Sequence, residues 1–362
     1  MPKANTHPTE GSIAMSTVAN DYDYVVGVDT HARTHTYTVV ETRTGAVIDT
    51  ASFPVSGPGL TRAITWIRRR TSGIVLAAVE GTSSYGASAV KAFTDNGIPV
   101  SEVRPPSRAS RTERGKTDAI DAEAAARSVI GRHTSQIRKP RASGDRNALR
   151  ILLTSRLLMD HQRTADRNAL TALLRTVDVG VDARKPLTDT RIKDISNWRN
   201  RSNIDLVTMV ARAEARRLAS AILNRTKELE NNHALLGRHA EELAPGLQNI
   251  PGVGPVTAAI IICAYSHTGR IHSEAAFAAL AGVAPQPASS GNTTRHRLNR
   301  SGDRQLNRAF DVIVRTRMSF DVNTRSYVER GLTSGKTKRE IRRNLKRYVC
   351  RSIFRQLQTI MA

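Results

Sequence analysis

Four carboxylates in the first third of the chain have the types and spacing of a divalent-cation centre. Asp29 ends the apolar run Tyr24 to Val28, and Glu80 ends a second run from Ile74 to Val79. Apolar runs of that length read as buried strands, so both acids fall at strand ends. Asp118 and Asp121 stand three apart in Lys-Thr-Asp-Ala-Ile-Asp-Ala-Glu-Ala-Ala-Ala-Arg, a segment that reads as helix, and at that spacing they share one face. Two full charges about 4 Å apart repel by roughly 4 kcal/mol at an effective dielectric near 20, so a site that gathers four of them expects divalent cations. Two ions about 3.5–4 Å apart are the usual arrangement for in-line displacement at phosphorus. The competing reading is that acids at strand ends and in first helical turns only cap or complement a dipole. The order Asp, Glu, Asp, Asp, each at an edge of an α/β unit, favours metal. Glu123 is a weaker fifth candidate, on a different side of the helix from Asp118 and solvated.

A second set of candidates lies toward the C-terminus. Leu247-Gln248-Asn249-Ile250-Pro251-Gly252-Val253-Gly254-Pro255, followed by an apolar helix, reads as a helix-hairpin-helix element. Gly252 and Gly254 permit a tight turn whose amides, with the next helix start, can take a phosphate; a plain interhelical turn is the alternative. Further on, a helix ends near Gly282 and a loop presents Ser289, Ser290 and Gly291, with Arg295, Arg297, Arg300 and Arg304 close behind. A serine attacks phosphorus only if its proton is removed and the phosphoryl charge is offset, which arginines and bound metals can do. Taken alone, Ser-Ser-Gly in a loop is usually just a turn.

The elements that must position these groups follow from periodicity. Strands are predicted at 24–29, 36–41, 46–53, 74–79 and 98–104, with helices at 59–70, 84–96 and 117–131. Three consecutive strands followed by alternating helix and strand resemble a ribonuclease-H-type sheet. From about 144 the leucines 149, 152, 153, 157, 170, 173 and 174 recur at helical spacing, and a second long helix is predicted over 202–243. Val177 to Asn200, rich in Asp and Arg and broken by Pro186, reads as a loop between them. Two long amphipathic helices can pack on a partner's copy or serve as a spacer within one subunit. The expected organisation is a disordered leader over 1–20, an α/β domain over 21–135, a helical coiled-coil linker over 136–243 and a mostly helical domain over 244–362.

Bulk composition narrows the partners. The 362 residues carry 55 basic and 32 acidic side chains, a net charge of +23, and basicity on that scale points to nucleic acid. The charge is uneven: 14 basic against 12 acidic residues over 21–135, 21 against 13 over 136–243, and 19 against 6 from 244 on. Arginine far outnumbers lysine, which suits bidentate phosphate contacts. Aromatic residues make up only 4%, too few for base stacking as the main binding mode. Two isolated cysteines, Cys263 and Cys350, form neither a zinc set nor a disulfide framework and fit a reducing cytoplasm. The first twenty residues lack an apolar signal core, and the longest apolar stretch, Val256 to Tyr265, is too short to span a bilayer.

The carboxylate quartet, the Pro-Gly-Val-Gly-Pro turn and the tract Gly-Val-Ala-Pro…Ser-Ser-Gly…Arg…Ser-Gly-Asp-Arg-Gln-Leu occur in one order over about residues 22–350. Together they resemble the DEDD-type insertion-sequence transposases, the family that includes the Piv invertases and the bridge-RNA-guided recombinases. The resemblance implies a RuvC-like N-terminal domain supplying four acids, here Asp29, Glu80, Asp118 and Asp121, which would hold two Mg²⁺ or Mn²⁺ ions. It implies a C-terminal transposase domain whose serine nucleophile falls on Ser290, with Ser289 the fallback. It also implies donor and target DNA, a structured noncoding guide RNA, a dimer or tetramer, and a bacterial, nucleoid-associated location. One departure is Leu306-Asn307-Arg308, where Leu-Arg is expected after the Gly-Asp element. Rival readings are a junction-resolving nuclease that uses water, and a non-catalytic nucleic-acid-binding protein.

Overall fold

The protein is seen in a computed structural model that describes residues 16–103, 117–141, 144–199, 204–287, 296–297, 299 and 302–361. It is a mixed α/β protein with one five-stranded sheet and otherwise mostly helices, divided into two compact units, up to Arg141 and from Ala142 on.

In the first unit a single helical turn, α1 (Val18–Asp21), leads into β1 (Tyr24–Thr30), β2 (Thr34–Glu41) and β3 (Val47–Pro54). There follow α2 (Gly57–Arg68), β4 (Val75–Glu80), α3 (Ala87–Asp95), β5 (Val100–Val103) and α4 (Asp118–Ile130). The sheet order is β3-β2-β1-β4-β5. The first three strands pair antiparallel, and β1–β4 and β4–β5 pair parallel. Central strands β1 and β4 are near-continuous Val, Ala and Leu because helices or loops cover both faces. Val26, Val28, Ala77 and Val79 face a core with Tyr37, Ile64, Ile67 and Phe93. Val25, Leu76 and Ala78 face the opposite core with Ala125, Ala126 and Val129 of α4. The edge strand β3 alternates exposed and half-buried positions, as a one-sided strand should.

The expected leader over 1–20 ends too late. Val18 is fully buried, its amide donates to the Arg132 carbonyl at 2.8 Å, and Thr17 bridges His133. The short mixed run from Ile13 to Ala19 gives no periodicity to read, yet Val18 joins the core under α4. Residues 1–15 lie outside the described residues.

The second unit opens with α5 (Asp145–Thr176), a 32-residue helix, then α6 (Asp189–Ser196) and the 38-residue α7 (Leu206–Leu243). After these come α8 (Pro255–Tyr265), α9 (Glu274–Leu280), the two-residue strands β6 (Gln286–Pro287) and β7 (His296–Arg297), α10 (Arg304–Phe320), α11 (Val322–Thr333) and α12 (Lys338–Ile360). The long helices α5 and α7 lie side by side. Buried Asn232 donates to the Leu152 carbonyl at 3.0 Å, while Arg156 donates to the Leu229 carbonyl at 3.0 Å. Such polar pairs fix the register of an otherwise apolar seam, since any slip leaves them unsatisfied.

The stretch Val177 to Asn200, expected as loop, contains α6. Its Asp- and Arg-rich composition hides Ile192 and Ile195, which are three apart, fully buried and packed with Leu170, Leu174 and Ile222. Thr188 caps this helix by accepting from the Arg191 amide. Among the leucines at helical spacing, Leu157 is exposed, with Ile151 and Leu158 beside it. The largest core joins Leu149 and Leu236 of the long helices to Tyr265, Phe277, Phe310 and Phe354 farther along the chain. No helix among the described residues is long and apolar enough to cross a membrane.

Candidate active site

Sheet geometry decides where the first two acids go. The β1–β4 register pairs Val28 with Val79, so Asp29 and Glu80 are the next residues on adjacent parallel strands. Neighbouring strands lie about 4.8 Å apart and alternate residues share a face. Both acids therefore fall on the face that carries Val25, Leu76 and Ala78, the face covered by α4.

The other two acids reach that face because of Gly27. A Cβ at Gly27 would lie 1.9 Å from the Ala122 carbonyl oxygen and 2.7 Å from the Ala126 amide nitrogen. Only glycine lets the backbone of α4 come this close to β1. Thr117 caps α4, its hydroxyl accepting from the Ile120 amide at 3.3 Å, so Asp118 and Asp121 occupy the first turn at the positive end of the dipole.

Three of the four carboxylates are nearly removed from water: Asp29 is 8% exposed, Glu80 9% and Asp121 8%. Asp118 is exposed at the rim. Burial holds the Asp29 carboxyl above the usual Asp range; the hydrogen bond and charge of His31 oppose this, and the nearby charges of Asp121 and Asp118 add to it. A carboxylate kept uncomfortable by burial and like charge is what a cation relieves.

His31 completes the cluster, and the sequence pattern does not single it out. Its Nε2 lies 3.0 Å from Asp29 Oδ2 and 3.5 Å from Asp118 Oδ1. One ligand atom each from Asp29, His31 and Asp118 lie within 4.8 Å of one another. The spacing Asp29-Thr30-His31 is the signal that could have found it, because i and i+2 at a strand exit point the same way. A donor set of carboxylates with one imidazole can hold a divalent cation. Glu123 stands apart from this cluster, paired with Arg127 one turn along.

In the second unit the glycine turn joins a 3₁₀ turn, Leu247–Asn249, to α8. Gly252 has φ +82°, and a Cβ there would lie 2.8 Å from the Ile313 carbonyl, so it is pressed against α10. Arg317 Nε donates to the Pro251 carbonyl at 2.7 Å. The Val253 amide donates to the Ile250 carbonyl and the Gly254 amide to Thr257 Oγ1, both at 2.9 Å. Two amides of the turn are therefore spent internally, and an anion here would use the first α8 amides from Val256 on.

Ser289, Ser290, Arg295 and Arg300 lie outside the described residues, and Arg297 is described only in its β7 backbone. Strands β6 and β7 pair antiparallel, Gln286 with Arg297 and Pro287 with His296. A Cβ on Gly302 would lie 2.4 Å from the Gly282 nitrogen. The Asp303 amide donates to the Leu280 carbonyl at 2.7 Å. Asn307 donates to the Ala281 and Gly282 carbonyls at 2.7 and 3.2 Å and accepts from Lys346 Nζ at 2.9 Å. It locks the Gly282 turn. Arg304 opens α10 directly behind its cap, Asp303.

These two regions fall within two sequence families of one class. The family described as Transposase, whose model covers DEDD transposases of IS110 elements, matches residues 26–178 and so takes in all four acids. The family described as Transposase IS116/IS110/IS902 family matches residues 244–329. A curated relative, the insertion element IS110 uncharacterized 43.6 kDa protein of Streptomyces coelicolor, is 36% identical over 106 residues, 29% of this chain. The aligned part spans 26% of that relative's length. The chain belongs to the IS110 family of DEDD transposases. That family implies an RNase H-like fold for the five-stranded sheet and dependence on a divalent cation.

Proposed function

We propose that this chain is the transposase of an insertion sequence, a DNA recombinase that cleaves and exchanges strands in a metal-dependent reaction. The observation that carries the reading is the buried carboxylate crowd around Asp29, in a chain of this family. Asp29, Glu80, Asp118 and Asp121 would hold Mg²⁺ or Mn²⁺, two ions per site, with His31 at the edge. Bound there, such ions polarise a phosphoryl oxygen and neutralise charge that develops on the attacking and leaving oxygens.

Ser290 is the proposed nucleophile. Its Oγ would form a bond to phosphorus as the bond to the leaving sugar oxygen breaks, and the serine proton would pass to that leaving oxygen. The resulting phosphoserine ester is close in energy to the phosphodiester consumed, so the step can run back onto a different strand. A recombinase needs that property, whereas a nuclease does not. Arg295, Arg297, Arg300 and Arg304 are suited to offset phosphoryl charge. Gly252 and Gly254 would shape an accessory phosphate contact at the start of α8. A structured noncoding RNA is the proposed guide to donor and target DNA. In that arrangement base pairing reads sequence and the protein tracks helix geometry. The paired long helices α5 and α7 suit assembly as a dimer or tetramer.

A second reading, a junction-resolving nuclease using water, draws support from an acid cluster that needs no serine for metal binding. Trapping decides between them. Denaturing gels of wild-type reactions should show a covalent protein–DNA species that Ser290→Ala loses while retaining metal and RNA binding. Mass spectrometry that places the nucleotide on Ser289 moves the assignment by one residue. A fully active enzyme with no adduct rejects the serine. Sequencing RNA that copurifies with the protein tests the guide.

A further inference from the structure

A cleft of about 1000 Å³ lies in the second unit between the Gly282–Pro285 turn, the start of α10 and one face of α12. Its charge is almost entirely of one sign. Arg304 and Arg308 come from α10, and Arg339, Arg342, Arg343 and Arg347 from α12. Lys346 adds a seventh cation, against only Asp311 and Glu340 among the described residues.

This arrangement runs against the stability of the helices that carry it. On α12 the cations recur at three- and four-residue spacing, so like charges stack along one face and repel. On α10, Arg304 and Arg308 sit at the helix start, where the dipole disfavours cations, and the acid there, Asp303, is engaged as the cap, accepting from the Gln305 and Leu306 amides. The two acids do not restore balance. Glu340 is engaged in the cap of α12, accepting from the Thr337 amide and hydroxyl at 2.8 Å each. Asp311 is shared by Arg315, Arg342 and Lys346 at 3.3, 3.4 and 3.6 Å. Burial and the charges of Arg342 and Arg343 hold the Lys346 ammonium below the usual lysine range even with Asp311 beside it. Arg347 Nη1 is buried without a hydrogen-bond partner among the described residues. A cleft built this way is completed by an anion.

We propose that this cleft binds the sugar–phosphate backbone of duplex DNA, with the α12 arginines as its principal contacts. The volume takes several backbone units rather than one free phosphate. No aromatic side chain among the described residues lines it, so bases are not stacked there. DNA is favoured over RNA because the Gly282–Pro285 wall lies only a few positions before Ser290, the proposed nucleophile, in the sequence. That choice rests on the recombinase reading above.

Arg339 and Arg343 are exposed, so replacing them threatens little packing. The full-length protein and R339A/R343A are titrated by fluorescence anisotropy against a labelled DNA duplex of about 30 base pairs, in EDTA, over a range of salt. An RNA duplex of equal length forms the second arm. Each lost phosphate contact removes about 0.9 from the slope of log K against log salt, so the variant's DNA slope should fall by about 2. Affinity near 150 mM salt should fall about tenfold or more. An unchanged slope on both probes overturns the cleft while leaving the recombinase reading intact. A fall on RNA alone overturns the assignment to DNA. Wild-type protein that binds neither probe overturns the recombinase reading itself.

Discussion

The two units each gather charges of one sign, and they do it in opposite ways. In the first, Asp29, Glu80 and Asp121 are almost withdrawn from water and are fixed by the sheet register and by the approach of α4 to β1. In the second, Arg339 and Arg343 stand in the open along a helix face, and a single carboxylate, Asp311, is shared among three cations. Burial makes repulsion strong and local, so the acidic cluster calls for a compact counterion at one place. Exposure makes it weak and screened, so the basic face accepts an extended polyanion without a fixed register. One region is suited to chemistry at an atom and the other to holding a chain.

The comparison can be broken most severely at the acids. Asp29→Asn, Glu80→Gln, Asp118→Asn and Asp121→Asn should each reduce strand cleavage by well over the roughly 10–100-fold that loss of a supporting group costs a metal site. Duplex binding should stay near wild type, because the proposed backbone contacts lie on α12. Wild-type cleavage by any one of them removes that residue from the centre, and a parallel collapse of DNA binding would erase the division of labour.

Gly27→Val tests what positions the acids. A side chain 1.9 Å from a backbone oxygen cannot be absorbed by a rotamer change. It should cost about 3 kcal/mol or more and abolish Mn²⁺ binding measured by calorimetry. Gly57→Ala, which meets nothing within 4 Å, is the matched control. A Gly27→Val protein that melts and binds Mn²⁺ normally would mean that α4 can be set on β1 in another way.

Asn307→Leu probes the corresponding frame in the second unit. Loss of bonds to the Ala281 and Gly282 carbonyls and to Lys346 should cost about 1–3 kcal/mol in urea unfolding. The salt slope for DNA should change less than in R339A/R343A. An equal fall in slope would make Asn307 part of the binding surface rather than its support.

The smallest expected effect has the opposite sign. In metal-free protein Asp29→Asn should raise the melting temperature by a few degrees at neutral pH, since it removes one charge from a crowded cluster. Asp29 is held above its ordinary value of 3.8. Its contribution to stability is therefore complete below that value and is lost as pH rises through the higher native one. The variant should flatten this decline, and saturating Mg²⁺ should reverse the ranking. A melting curve with the same pH dependence in both proteins would show that Asp29 is not strained.

Most of the first unit is legible in the sequence, because its strands are short apolar runs with clear punctuation and its helices are amphipathic. Strands expected at 24–29, 36–41, 46–53 and 74–79 form at 24–30, 34–41, 47–54 and 75–80. The features that the sequence hides share one cause. Val18, Ile192 and Ile195 lie in short stretches without a clear period, and their burial depends on partners distant in sequence. His31 is hidden because a lone histidine after a strand carries no pattern until Asp118 arrives beside it from another element. The α12 arginines read as a solvated helix face because nothing local reveals that a turn some 60 residues earlier forms the opposite wall.

By itself the sequence determined the periodicities, the acids at strand and helix ends, the glycines that permit close approach, and the charge imbalance toward the C-terminus. Those are properties of neighbouring residues, set by local sterics and by solvent. Tertiary structure alone decided that Gly27 faces α4, so that Asp29 feels Asp118 and Asp121, and that Arg304 and Arg343 line one cleft. Electrostatic energy depends on distance and burial, and neither exists for residues far apart in the chain until the chain has folded.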